Sequence, residues 1–121
     1  MIWIRLASVF MFLAIALGAF GAHALKGRLS ESFQAAFETG VRYHVYHALA
    51  LFVVAWLSEA HPHVFVRVSG YAFTLGIVLF SGSLYLLCLT GTSTWGAVTP
   101  IGGLAFLAGW GFLALSAFAA R

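Results

Sequence analysis

The chain holds 121 residues, of which 63% are hydrophobic and 7% charged. Soluble domains carry about a quarter charged residues, so this composition excludes a water-soluble globule, and intrinsic disorder needs the opposite composition. The formal charge of +3 is scattered over Arg5, Lys26, Arg28, Arg42, Arg67 and Arg121, which excludes a nucleic-acid partner because that needs a concentrated basic footprint; a single-domain integral membrane protein remains.

The first apolar run covers residues 3–24. Arg5, the run behind it and Ala22-His23-Ala24 imitate a cleavable signal peptide. The uncharged stretch is nevertheless long enough to cross a bilayer, so a retained first span is expected. Within it Ala14, Gly18 and Ala22 lie four apart, a small-residue seam for close helix packing.

Next comes an amphipathic segment, residues 29–40. Leu29, Phe33, Phe37 and Val41 recur every four residues, with Ser30, Glu31, Gln34, Glu38 and Arg42 on the other side. Ser30 is the expected N-cap, with Glu31 favourable in the first turn. The segment either lies in the interface or extends the second span, with Gly40 as the expected bend.

The second span is expected over residues 41–58, the third over 68–89 and the fourth over 100–120. None alternates as barrel strands do, so all are helices. Pro62 breaks the connection between the second and third spans, where His61 and His63 are expected to be solvated. Trp3, Trp56 and Trp95 read as interfacial anchors, and Trp110, in mid-span, as packing. Cys88 reads as a buried, inert thiol. Thr99 and Pro100 read as N-cap and first helical position of the fourth span. Gly102, Ala105, Gly109, Phe112 and Ser116 give that span a second seam. Packing within the monomer is favoured over oligomerisation for both seams.

Short connections allow only antiparallel neighbours, so the expected architecture is all-α: an up-down-up-down four-helix membrane bundle with a short amphipathic helix before the second span. Three basic residues fall on each side, so the positive-inside rule does not decide orientation.

This topology gathers polar groups on one side of the membrane: His23, Glu38, Arg42, Tyr43, His44, Tyr46, His47, Ser83 and Tyr85. Ionisable groups within a span face the bundle interior and are functional candidates. Glu38 precedes Arg42 by one turn, the favourable order for an ion pair. His23, His44 and His47 suggest a metal site, but no cysteine or aspartate completes a ligand set, and no metal or cofactor is expected. Bis-histidine haem ligation and a quinone or headgroup docked on Tyr43, His47 and Arg42 are the ligand-binding alternatives. The favoured reading is hydrogen bonding across helices. No nucleophile elbow, phosphate loop or paired carboxylate is present, so no enzyme is expected.

Gly18-Ala19-Phe20-Gly21-Ala22-His23-Ala24-Leu25, Thr39-Gly40-Val41-Arg42-Tyr43-His44-Val45-Tyr46-His47-Ala48-Leu49-Ala50, Leu79-Phe80-Ser81-Gly82-Ser83-Leu84-Tyr85 and Thr99-Pro100-Ile101-Gly102-Gly103, in this order, resemble the YgdD/YwdK-type family of small four-span membrane proteins. The resemblance implies an integral protein of the bacterial inner (cytoplasmic) membrane, of unknown function and without catalytic residues to carry over. It marks the region of His23, Arg42 and His47 as a signature surface. The expected function is non-enzymatic: packing with membrane lipids or partner proteins, as a homo-oligomer or within a larger membrane complex. An oligomeric small transporter is a further alternative.

Overall fold

A computed structural model describes residues 1–119 of the chain. All its regular structure is helical: α1 (Ile2–His23), α2 (Glu31–Ala60), α3 (Val64–Gly76), a π turn (Ile77–Ser81), α4 (Gly82–Thr90), a 3-10 turn (Ser93–Ala97) and α5 (Thr99–Ala119). These make four apolar spans, because α3, the π turn and α4 run on as one from Val64 to Thr90. The expected all-α four-span bundle is what forms.

Pairings are antiparallel. Gly18 faces Val41 while Gly21 faces Phe37, and Phe73, Gly76 and Phe80 face Gly109, Phe106 and Gly102 in reverse order. The second and third spans are central, with 44% and 39% of their most apolar stretches buried against 17% and 22% for the outer two. Large apolar side chains such as Phe12, Trp56, Leu107 and Phe118 face outward, as a bilayer solvent requires.

The amphipathic segment is not a separate helix. It forms the opening turns of α2, a helix of 30 residues, about 45 Å long against a hydrocarbon core of about 30 Å. Ser30 caps it, accepting from the Phe33 N–H at 3.2 Å. No break occurs at Gly40, which is buried inside the helix and packs on Leu84 and Tyr85. The physical reason is that the stripe of Leu29, Phe33, Phe37 and Val41 already has an apolar partner. It packs with Leu17 of α1 and Leu87 and Cys88 of α4, so nothing draws the segment down onto the membrane surface.

Several expected boundaries and roles differ. The third span starts at Val64 rather than residue 68, because His63 is its N-cap and its Nδ1 accepts from the Phe65 N–H at 3.1 Å. His63 is thus structural and not merely solvated. Thr99 does not cap the fourth span. Its hydroxyl meets Ser83 Oγ at 2.6 Å, and the Ile101 and Gly102 N–H groups reach the Val98 carbonyl instead. Trp3 is not an interfacial anchor but is buried over Gly70 and edge-on to Tyr71.

The seams sort by geometry. On α1 the buried positions are Trp3, Ala7, Ala14 and Gly21. Gly18 is half-buried and Ala22 exposed. A step of seven residues keeps to one face more closely than steps of four, which advance about 40° each. On α5, Gly102 and Gly109 are buried and Ala105 half-buried. A Cβ at Gly102 would run into the Phe80 backbone, and one at Gly109 would stand 2.5 Å from Phe73 Cδ1. This second seam is therefore filled by the third span of the same chain.

Candidate functional site

The centre of the bundle is built on His47. It lies 16 residues beyond Glu31, about 24 Å along α2, and meets Trp110 halfway along α5. Its Nδ1 stands 2.7 Å from the Tyr43 carbonyl and its Nε2 3.0 Å from Trp110 Nε1. A carbonyl only accepts and an indole N–H only donates. Both contacts therefore assign the same neutral tautomer, with the proton on Nδ1. The ring stacks on Phe106 with centroids 3.6 Å apart and planes 10° apart, and Phe73 and Tyr43 complete its surroundings. Both nitrogens are engaged, so metal or haem ligation by His47 would require breaking this arrangement.

His44, on another face of α2, is also buried, with Nδ1 2.9 Å from the Tyr85 hydroxyl. Its ring packs edge-on to Phe10 of α1, and its Nε2 is buried without a partner. Other interior polar groups also tie one span to the next, while Ser69 and Ser116 bond back to carbonyls of their own helices. Ser81 Oγ donates to the Gly40 carbonyl at 2.7 Å, Ser83 meets Thr99, Cys88 Sγ donates to the Phe33 carbonyl at 3.1 Å, and Gln34 Nε2 donates to the Gly21 carbonyl at 3.1 Å. Hydrogen bonds thus lead from the second helix to each of the other three spans.

Of the polar groups expected at one rim, His44 meets Tyr85 and Tyr43 lies beside Tyr46 and His47, while His23 stands apart. His23 is exposed at the end of α1, whereas His44 and His47 sit at mid-depth. The three do not converge on a point, and among the described residues no three His, Cys, Asp or Glu side chains are placed to share a metal. Glu38 and Arg42 line one groove between α1 and α2 with Gly18, Gly21 and Tyr46. Both are exposed, and no ion pair joins them. Tyr43 and Tyr46 are exposed beside each other, with ring centroids 5.8 Å apart.

Three roles are absent from the sequence expectation. Trp110 is a donor to His47 as well as packing. Ser81 bridges two spans. The π turn brings Phe80 against Gly102, and such turns recur at functional positions. The serine was visible as part of Ser81-Gly82-Ser83. The π turn has no local composition signal.

A bundle of four apolar helices, its interior polar groups joined across helices, defines a small integral membrane protein. Residues 17–103 match the model of a family described as protein of unknown function (DUF423), and the chain belongs to that family. It is similar to the UPF0382 membrane protein YwdK of Bacillus subtilis, 45% identical over 96% of this chain and 95% of the relative. It is similar also to a UPF0382 membrane protein of Staphylococcus haemolyticus, 42% identical over 97% and 95%. A third relative is the UPF0382 inner membrane protein YgdD of Escherichia coli K12, 39% identical over 92% and 85%. These names agree with the membrane location expected from composition. No solved structure matches the chain.

Proposed function

We propose that this protein acts without catalysis and without a resident cofactor, by packing with membrane lipids and with partner proteins, either a second copy or a larger membrane complex. One observation carries this reading. His47, the interior group best suited to chemistry, has both ring nitrogens engaged by Tyr43 and Trp110. With Ser81, Ser83 and Cys88 also bonded between helices, this interior serves cohesion, and interaction is left to the outer surface. No nucleic acid is a partner in this reading.

Photo-crosslinking in native membranes tests it, with the probe at the outward-facing positions Leu107 and Trp56. Adducts with lipids and with a defined protein neighbour are expected. Absence of any such adduct, or haem absorbance or stoichiometric metal in gently purified protein, would overturn it.

A second reading, a small lipophilic ring compound such as a quinone, is favoured by one groove. Tyr43, Tyr46, His47, Phe80, Phe106 and Trp110 line a space of about 420 Å³, within the usual range for small-molecule sites. Mass spectrometry of an organic extract of the purified protein would reveal such a compound at near-equal stoichiometry.

A further inference from the structure

A second cavity lies at the opposite end of the bundle from His23. It occupies about 270 Å³ where the second span ends and the third begins, and Trp3, Ser58, Pro62, His63, Val64 and Arg67 line it. Pro62, Val64 and Arg67 form its exposed outer wall, and Trp3 its buried apolar wall.

The polar side chains of this cavity share one character. His63 accepts from the Phe65 N–H through Nδ1, so its neutral ring carries the proton on Nε2 and offers a donor there. Arg67 offers only donors and makes no ion pair among the described residues. Ser58 Oγ is buried with no partner. Arg67 also stands in the opening turn of α3, which holds no acidic residue. A cation there adds to the positive end of the helix dipole instead of offsetting it. The lining side chains therefore offer positive charge and donors and include no carboxylate, and Glu59, exposed next to Ser58, forms no ion pair with Arg67.

We propose that this cavity binds the phosphate of an anionic phospholipid headgroup. Arg67 and the His63 Nε2–H hold the phosphate oxygens, with Trp3 as the apolar wall beside the glycerol. Phosphate recognition by a guanidinium with neutral donors is strong and directional. The site lies at the end of two spans, where headgroups are. The assignment deepens the lipid-packing reading above and rests on it.

The test uses the full chain in neutral detergent with equal mole fractions of phosphatidylglycerol and phosphatidylcholine, read by native mass spectrometry. Wild type should retain phosphatidylglycerol about tenfold over phosphatidylcholine, the scale of one lost charged contact. Arg67→Gln should abolish that preference, and Arg28→Gln, at the other end of the bundle, should leave it intact. Equal retention of the two lipids by wild type, or full preference in Arg67→Gln, would overturn the site. Arg67-dependent retention of inorganic phosphate with no lipid preference would overturn the lipid assignment in favour of a free anion. No preference in wild type, with membrane crosslinks still formed, rejects this cavity alone; absence of the crosslinks as well rejects the reading beneath it.

Discussion

At the scale of the residue, the strongest constraint is that a polar atom in hydrocarbon needs a partner. The His47–Trp110 pair shows how it is met, since each ring supplies what the other lacks. His47→Phe, Trp110→Phe and the double variant should reveal a coupling of about 1 kcal/mol by thermal unfolding in detergent. Additive losses would mean that the hydrogen bond contributes nothing beyond packing. Cys88 gives a second check. Because its Sγ is buried against the Phe33 carbonyl, maleimide should label it slowly in the folded protein and fully after denaturation. The identity of these residues as candidates was legible in the sequence, but their depth was not. Starting the second span at residue 41 puts His44 and His47 in its first turns. The helix starts at Glu31, which moves them to the middle of the bundle. Likewise His63 looked like a loop histidine, since a capping role depends on where the next helix starts.

Elements show the same division. Apolar runs of sufficient length fixed four helices, and their boundaries needed the caps. The small residues of α5 announced close approach, yet only the packed neighbours say to what. Gly102→Ala should cost about 2 kcal/mol through overpacking against the Phe80 backbone. Gly111→Ala, where a Cβ meets nothing within 4 Å, should be neutral or slightly stabilising. Similar melting temperatures for the two variants would contradict this packing. The π turn was hidden because it depends on one additional residue in an otherwise continuous helix. Deleting Val78, an outward-facing residue of that turn, should convert it to α-helix while α3 and α4 keep their faces. Deleting Leu86 from α4 should rotate everything after it by about 100° and abolish recovery of monodisperse protein. Equal recovery of the two deletions would refute the compensating role of the turn.

For the whole molecule, topology followed from short connections between long apolar runs. In a Cys88→Ala background, Lys26→Cys and Ser93→Cys should react with an impermeant maleimide from one side of sealed vesicles, and His61→Cys from the other. Labelling of all three from one side would break the up-down order. The rim cluster expected of His23, His44 and His47 could not be checked by topology alone. Topology assigns a residue to a leaflet only when the start of its helix is known to within a turn.

The length of α2 has one more consequence. At about 45 Å the helix exceeds the oily slab's thickness of about 30 Å, and the surplus fits best at its opening turns, where Glu31, Gln34 and Glu38 would form something like the head of a bolt. Sinking deeper would drag those carboxylates into hydrocarbon, at a cost of a few kcal/mol each. The molecule is thereby prevented from drifting inward along the bilayer normal, and anything approaching from that side encounters this polar collar before the lipids.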